Sequence, residues 1–266
     1  MNSTWSRMEF VRAKKHLGQH FLKDQNIARK IVAALQLPPG SQVLEIGPGA
    51  GVLTQYLIEM PGIRFRAVEI DGESILYLRT KYPGHVEEFI EGDFLNLPIS
   101  DLFTGSFAVI GNFPYNISSQ IFFRILEFRN QIPEVVGMVQ KEVAERINTP
   151  PGSRLYGILS VLLQAFYRVD YLFTVSEQVF VPPPRVKSAV IRLTRNGRTR
   201  LECDEALFFR VVKTAFNQRR KMLSNALKSL TPKVPEPFAG MRAEQLSVEQ
   251  FEILTKQIEL QINQKA

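Results

Sequence analysis

The sequence of 266 residues is poor in metal-binding and crosslinking side chains, with one cysteine, Cys203, and three histidines. A single cysteine excludes a disulfide framework and a thiolate metal cluster within the chain. His16, His20 and His85 lack the spacing of metal ligands, so we expect no protein-bound metal. Long apolar runs are also missing, because no segment approaches the roughly 18 residues that a membrane-spanning helix needs. These absences predict a protein that neither carries zinc nor enters a membrane.

A secretory signal is not apparent either. Residues 1–21 are basic but have no apolar core and no small-residue cleavage site, so a cytoplasmic location is the simplest expectation. The formal net charge is +7, and 45% of the residues are hydrophobic, which is enough to fill a core. A basic protein of this size often binds a polyanion, most commonly nucleic acid. A merely basic surface is the equally weighted alternative.

Strand-like and helix-like segments alternate from about residue 24 onwards. Asp24 is suited to cap a first helix, and a buried strand at 42–46, a glycine-rich turn, a helix and a strand at 65–70 form a βαβ unit. Further strands are predicted at 86–90, 107–110, 135–139, 167–175 and 188–193. The short proline-rich link before the last strand suits an antiparallel pair. The sequence therefore predicts an α/β fold with a mostly parallel sheet, helices on both faces and an antiparallel edge.

Strand signals disappear beyond about residue 197. Residues 204–230 and 247–262 have the periodicity of amphipathic helices and are separated by prolines. We therefore predict an α/β domain over residues 1–197, with a basic N-terminal segment, and a small helical domain over residues 198–266.

The glycine-rich turn and two carboxylates predict an adenosine-binding site. Gly47, Gly49 and Gly51 follow the first strand of the βαβ unit, where glycines let the backbone approach a ligand closely. Glu69 ends the next strand and can accept hydrogen bonds from ribose hydroxyls, while Asp93 can accept one from an adenine amine. This pattern does not separate NAD from S-adenosylmethionine, and a tight turn with solvated carboxylates is the structural alternative.

The tetrapeptide Asn112-Phe113-Pro114-Tyr115 has the chemistry to activate an aromatic amine. It follows a predicted strand, so it lies at the same sheet edge as the glycine turn. The side-chain oxygen of Asn112 and the main-chain carbonyl of Pro114 can each accept one amine hydrogen, which directs the nitrogen lone pair at a methyl donor. Tyr115 offers a face for stacking on the target base. A purely structural turn is the alternative, since Asn and Pro are ordinary turn residues.

The tetrapeptide, together with Glu45–Gly49, resembles the ribosomal RNA adenine N6-dimethyltransferase family. The resemblance runs nearly end to end, through Leu17–Leu22, Gln140–Val143, Val181–Val186, Ala215–Lys221 and Met241–Ser247. It implies a Rossmann-like class I methyltransferase fold with a seven-stranded sheet, S-adenosylmethionine as methyl donor and no metal. It also implies that residues 1–197 are catalytic and that residues 198–266 bind RNA.

The resemblance assigns roles to individual residues. It implies that S-adenosylmethionine is contacted by His20, Leu22, Gly47, Glu69, Asp93 and Asn112. The family often has Asn where His20 stands, and the second tetrapeptide residue is more often Leu, so Phe113 should point into packing. The target base must leave its stack to reach the donor. Tyr115 and Phe180 would then clamp its two faces, although a core residue at a strand end is the alternative for Phe180.

Two basic regions are suited to RNA phosphates. Residues 7–30 include Lys14 and Lys15, and the run at 216–221 contains Arg219, Arg220 and Lys221. A solvated charged face is the usual alternative, but a base-modifying site nearby favours phosphate binding.

The closest resemblance is to the bacterial branch that dimethylates two adjacent adenosines in the hairpin near the 3′ end of small-subunit (16S) ribosomal RNA, contributing to ribosome biogenesis. We expect a monomer that acts on this RNA in the subunit or its precursor. The alternatives are a large-subunit ribosomal RNA methyltransferase, a non-catalytic nucleic-acid-binding factor on the same fold and, more weakly, a DNA adenine methyltransferase.

Overall fold

The computed structural model describes residues 11–264, so residues 7–10 of the predicted basic segment lie outside the described part. Its strands are β1 Phe21–Leu22, β2 Gln42–Ile46, β3 Arg64–Glu69, β4 Phe89–Glu91, β5 Ala108–Asn112, β6 Glu134–Gln140, β7 Tyr167–Val175, β8 Phe180–Val181 and β9 Ser188–Arg195. Its helices are α1 Gln25–Val32, α2 Thr54–Ile58, α3 Gly72–Lys81, α4 Ser118–Glu127, α5 Lys141–Asn148, α6 Ile158–Gln164, α7 Glu205–Asn217, α8 Leu223–Ala226 and α9 Val248–Asn263.

Seven strands form one sheet in the order β4-β3-β2-β5-β6-β9-β7. The strands β2 to β6 run parallel to their neighbours, whereas β9 is antiparallel to β6. The predicted mostly parallel seven-stranded sheet with an antiparallel strand is therefore confirmed. Because parallel strands end at one edge, the carboxyl ends of β2, β3 and β5 bring the glycine turn, Glu69 and Asn112 together.

A separate two-stranded ribbon pairs β1 with β8 in antiparallel fashion, with Leu22 opposite Phe180. The link between β7 and β9, which was predicted only to be a short proline-rich connection, therefore contains the strand β8. This ribbon brings the Leu17–Leu22 motif and the Val181–Val186 motif side by side.

Local sequence explains where two of the elements begin. The Asp24 carboxylate caps α1, as predicted, by accepting from the N–H groups of Asn26 and Ile27. The strand expected at 86–90 begins only at Phe89, because Pro83 opens a 3₁₀ helix that runs through Glu88.

The chain divides into two compact units. One contains residues up to Ala144 together with Asp170–Thr194, and the other contains Glu145–Val169 together with the chain from Arg195 onwards. The sequence predicted one boundary near residue 197, which assigned the segment 145–169 to the α/β domain. It joins the second unit because α6, with Leu159–Leu163 buried, packs on α7 and α9. The roles given to the two predicted domains stay predictions.

The second unit is helical and has an aromatic core. The ring of Phe216 lies between those of Tyr156 and Phe251, with centroids 6.1 and 5.9 Å away. The helix expected over 204–230 is in fact two helices, α7 and α8. It breaks at Gln218, and the N–H of Leu223 instead donates to the carbonyl of Met241 at 2.7 Å.

The ring of Phe113 is buried in the first unit, 1% exposed, as the sequence expects. It meets Phe122 edge to face at 5.8 Å and fills the space beside two glycines, Gly111 and Gly137. A Cβ atom on Gly137 would lie 2.6 Å from the Phe113 ring. Phe113, which is larger than the leucine more usual at this position, is therefore accommodated by Gly137 on the neighbouring strand.

Replacing Gly137 by Ala should destabilise the protein by about 1–3 kcal/mol, because the added methyl group overpacks a buried ring. Phe113→Leu in the same chain should recover part of that loss, since the two sites are in contact. Chemical denaturation of both single variants and the double variant measures the coupling. Gly84→Ala is the control, because a Cβ atom there meets nothing within 4 Å. Purely additive effects would contradict the contact.

Candidate active site

A pocket of about 440 Å³, open to solvent, lies at the carboxyl edge of β2, β3 and β5. It combines the glycine turn, the tetrapeptide and the segment that leads into β1. Its lining residues are Leu17, Gly18, Gln19, His20, Phe21, Gly47, Gly49, Glu69, Ile70, Asn112, Phe113, Pro114 and Tyr115. Three separate motifs of the sequence therefore line the same cavity.

The glycine turn is held in place by Glu69. The N–H of Gly49 donates to Glu69 Oε2 at 3.0 Å, and the N–H of Asp71 donates to Oε1 at 3.1 Å. The carboxylate is 4% exposed, and burial raises its pKa. Gly49 has φ of +54°, and a Cβ atom there would lie 2.6 Å from the ring of Phe21. Only glycine therefore allows this backbone, Glu69 and Phe21 to meet.

The amide of Asn112 is oriented by the main chain. Its Nδ2 donates to the carbonyl oxygen of His20 at 2.8 Å. This bond assigns the nitrogen to the His20 side, which leaves Oδ1 available as an acceptor in the pocket. A carbonyl partner fixes the amide in the one orientation that an amine donor requires.

The remainder of the tetrapeptide adds an acceptor and an aromatic face. The carbonyl oxygen of Pro114 accepts from the N–H of Ile117 at 3.2 Å, and its second lone pair remains for another donor. The hydroxyl of Tyr115 makes a 2.5 Å hydrogen bond with Ser188 Oγ. Its half-buried ring lies 5.2 Å from that of His20 at an interplanar angle of 32°. The site therefore presents two oxygen acceptors next to a fixed aromatic ring.

His20 lines the pocket and Leu22 lies beside it, and the cofactor role of both stays a prediction. The Nδ1 of His20 donates to the carbonyl oxygen of Pro182 at 2.8 Å, which ties the segment before β1 to the end of β8. Leu22 is 4% exposed and lines a small adjoining cavity with Glu45 and Asn112.

Two of the predicted site residues lie elsewhere. Asp93 does not line the pocket, and its two oxygens accept from the N–H of Leu95 and from Asn96 Nδ2. Phe180 is 1% exposed and packs in the core of the first unit. Burial favours the core alternative for Phe180, because β8 would have to move before the ring met a base. The cofactor role of Asp93 and the clamp role of Phe180 stay predictions.

Other pocket residues were not singled out from the sequence. Ile70 lines the pocket and is 52% exposed. Its position directly after Glu69, the acid at the strand end, could have predicted this from the sequence. Phe21 lies within the matched motif but was given no role.

Lys14 forms an ion pair with Asp71 at 2.6 Å and with Glu73 at 3.3 Å. This ion pair fastens the N-terminal wall of the pocket to the start of α3.

The predicted RNA-binding residues fall into two groups. Lys15, Arg220 and Lys221 are exposed. Arg219 donates to the carbonyl of Ser153 at 3.1 Å and lies 3.8 Å from Glu244 within the second unit, while Lys14 is paired as described. The first group is exposed to solvent, whereas the second has intramolecular partners. The RNA-binding role of all five stays a prediction.

Glu45 makes folding stability depend on pH. It is 1% exposed in β2, where it accepts a hydrogen bond from Thr54 Oγ1 at 2.7 Å. Burial raises its pKa from 4.5 to about 8, with Glu69 adding to the rise. Between those values the folded protein keeps a proton that the unfolded chain has released. The contribution of Glu45 to stability should therefore be fully present below pH 4.5 and be lost as the pH rises towards 8, by at most about 1.4 kcal/mol per pH unit.

Glu45→Gln should flatten this dependence, because the amide can still accept from Thr54 but does not titrate. Thermal unfolding of both proteins across pH 5 to 9 measures the slopes. Equal slopes in the variant and the parent would assign the effect to another group, with Glu69 the next to test.

The comparisons with known proteins agree with this geometry. A family model described as ribosomal RNA adenine dimethylase matches residues 10–258. The chain is similar to a protein of Cytophaga hutchinsonii named ribosomal RNA small subunit methyltransferase A, with 57% identity over 255 residues, covering 94% of this chain and 99% of that protein. A protein of the same name from Flavobacterium johnsoniae is 58% identical over 256 residues, covering 95% and 98%.

Two solved structures share the fold. A dimethyladenosine transferase from Plasmodium falciparum aligns with a TM-score of 0.74 and 24% identity, covering 92% of this chain and 98% of that one. The 23S ribosomal RNA methyltransferase ErmE aligns with a TM-score of 0.65 and 25% identity, covering 90% and 99%. None of the helices within residues 11–264 has the length and apolar character that crossing a membrane requires.

Proposed function

The chain belongs to the ribosomal RNA adenine dimethylase family, and we propose that it dimethylates N6 of two adjacent adenosines in the 3′-terminal hairpin of small-subunit (16S) ribosomal RNA. It is a methyltransferase that modifies adenine in ribosomal RNA. The observation that carries the proposal is the Asn112 amide, which the His20 carbonyl fixes with its oxygen in the pocket.

The pocket has the features that S-adenosylmethionine requires. The glycine turn leaves room that a Cβ atom on Gly49 would fill, and the buried Glu69 carboxylate can accept further hydrogen bonds from ribose hydroxyls. We propose that Gly47, Glu69, His20 and Leu22 hold the donor, with Ile70 packing on an apolar part of it. When bound, S-adenosylmethionine supplies a methyl group activated by a sulfonium.

The tetrapeptide would prepare the amine for transfer. The N6 lone pair of adenine is delocalised into the ring, so the nitrogen is a poor nucleophile in its planar form. Acceptance of its two hydrogens by Asn112 Oδ1 and the Pro114 carbonyl favours a pyramidal nitrogen whose lone pair points away from these oxygens. Tyr115 would hold the base by stacking. Alignment and polarisation carry the catalysis, and no strong base is needed beforehand.

The choice of the small subunit is supported by the relatives. The two proteins that are 57% and 58% identical over nearly the whole chain are both named for the small subunit. The large-subunit enzyme ErmE is similar in fold at 25% identity. The large-subunit alternative therefore has weaker support than the small-subunit reading.

A methylation assay with labelled donor tests the proposed function. We expect transfer to unmodified small subunits or their precursors and not to large subunits or duplex DNA, with the label recovered as N6,N6-dimethyladenosine by mass spectrometry. Label confined to large-subunit RNA would overturn the choice of substrate. Absence of transfer to any nucleic acid, with donor binding intact, would favour a non-catalytic binding factor. We further propose that the active form is a cytoplasmic monomer, which light scattering of the purified protein tests.

The exposed cations should contribute affinity for RNA but not chemistry. Replacing Arg220 and Lys221 together by Glu should weaken RNA binding uniformly across sequences and reduce the salt dependence of binding by about one to two charges. Filter binding at several salt concentrations measures the slope. Lys228→Glu, an exposed lysine beyond α8, is the matched control. An unchanged slope in the double variant would remove this surface from the RNA interface.

A further inference from the structure

The Tyr115 ring is held at its hydroxyl end by a residue outside the tetrapeptide. Ser188 Oγ lies 2.5 Å from the Tyr115 hydroxyl oxygen. Ser188 is fully buried, at 0% exposure, whereas Tyr115 is half-buried and lines the pocket. Within residues 11–264, Tyr115 is the hydrogen-bond partner of the Ser188 side chain. The buried hydroxyl of Ser188 therefore anchors the Tyr115 ring, which is proposed to stack on the base.

The sheet register places Ser188 at the height of the tetrapeptide. Asn112 at the end of β5 is opposite Met138 of β6, and Ser188, the first residue of β9, is opposite Gln140 of the same strand. Ser188 thus lies two residues beyond the end of β5, measured along β6, on paired backbone. Beside it, the Lys141 N–H donates to the Lys187 carbonyl at 2.9 Å. Its hydroxyl is fixed relative to the catalytic edge of the sheet.

A tyrosine ring has two soft torsions, and a base-stacking platform must fix both. The ring of His20 lies 5.2 Å from the Tyr115 ring and limits one face. A hydrogen bond at the hydroxyl restricts rotation about χ1. It does not restrict χ2, because the hydroxyl oxygen lies on the χ2 axis, so the neighbouring ring of His20 must limit that rotation. Without it, the ring would move relative to the Asn112 amide, which is anchored independently on the His20 carbonyl.

We propose that Ser188 is a positioning residue for methyl transfer, because its hydroxyl holds the far end of the Tyr115 ring in place beside the target adenine. The inference rests on the proposed function, which gives Tyr115 its stacking role. Ser188 itself touches neither base nor donor. Its loss should lower the rate of transfer at saturating substrates and raise the fraction of product that stops at the monomethyl stage, since the base must be presented twice.

A double-mutant cycle tests this role. The proteins are the parent, Ser188→Ala, Tyr115→Phe and the double variant, assayed on unmodified small subunits with saturating donor. Tyr115→Phe keeps the ring and removes the hydroxyl. We expect each variant to have a kcat about 5- to 10-fold lower than the parent, and the double variant to be no slower than either single one. Donor affinity, measured by calorimetry, should stay within about twofold.

The control is Tyr171→Phe, which removes a tyrosine hydroxyl that bonds Thr174 Oγ1 at 2.7 Å on an exposed part of β7. It should leave kcat and the product ratio unchanged. Ser188→Thr, which retains a hydroxyl, should restore part of the rate if Ser188→Ala is poorly folded.

The outcomes separate the two proposals. An inactive parent on every nucleic acid tested would refute the proposed function. An active parent with additive losses in the cycle, or a Tyr115→Phe variant with full kcat and normal product ratio, would refute the positioning role alone. Loss of thermal stability with unchanged kcat in Ser188→Ala would likewise show a merely structural hydroxyl.

Discussion

Asn112→Ala should lower kcat for adenine methylation by on the order of 10²–10³-fold, while binding of S-adenosylmethionine stays measurable. The amide oxygen is a preorganised acceptor, because Nδ2 is held by the His20 carbonyl at 2.8 Å. Alanine removes the acceptor and leaves the second oxygen, that of Pro114, to orient the amine alone. Since the acceptor acts mainly on the transition state, KM for RNA should change far less than kcat.

Asn112→Asp should also be strongly impaired. A carboxylate retains an acceptor towards the amine but sets a negative oxygen against the His20 carbonyl, so the side chain loses its fixed orientation. Asn116→Ala is the control, because Asn116 is exposed and its side chain donates to the His16 carbonyl at 3.4 Å, outside the proposed amine contacts. Single-turnover methylation with calorimetric donor binding gives both quantities. Full turnover by Asn112→Ala would remove the residue from the mechanism.

Glu69→Ala should weaken the affinity for S-adenosylmethionine by about 100-fold or more, because hydrogen bonds to a charged group contribute about 1.5–3 kcal/mol each. The carboxylate has two tasks: it holds the N–H groups of Gly49 and Asp71, and it is the proposed acceptor for ribose hydroxyls. Alanine therefore removes a ligand contact and releases the turn that shapes the pocket.

Glu69→Gln should recover only part of the affinity, because its NH₂ group would face a backbone N–H. Calorimetry with the donor and with its demethylated product measures the loss. The control is Glu59→Ala, an exposed carboxylate at the end of α2. Donor affinity equal to that of the parent in Glu69→Ala would contradict the assigned pocket.

The sequence was most informative where function depends on strand ends. Asn112 and Glu69 both line the pocket at the predicted sheet edge, because each ends a recognisable buried strand and parallel strands end at one edge. Asp93 also follows such a strand, but its carboxylate accepts local hydrogen bonds from Leu95 and Asn96 and does not line the pocket. Position at a strand end therefore indicated the right edge of the sheet but not the direction of each side chain.

Contacts between residues far apart in the chain could not be predicted from sequence patterns. The bond from Asn112 to the His20 carbonyl spans 92 residues, and that between Tyr115 and Ser188 spans 73. Neither produces periodicity or a local motif. Burial of Phe180 was similarly hidden, since an aromatic residue before a proline run reads equally as a clamp or as core. The helix break after Asn217 was missed because the apolar spacing continues through a turn whose partner, Met241, lies far along the chain.

The β1–β8 ribbon has a consequence for biosynthesis. Its two strands are separated along the chain by most of the first unit, with Leu22 opposite Phe180. Contacts between such distant segments close late, because the entropy of a long loop must be overcome first. A growing chain on the ribosome contains the glycine turn and the tetrapeptide well before it contains β8, the strand against which β1 is paired. The wall of the pocket that precedes β1 should therefore be fixed in place only after β8 has been translated, well after the pocket residues themselves.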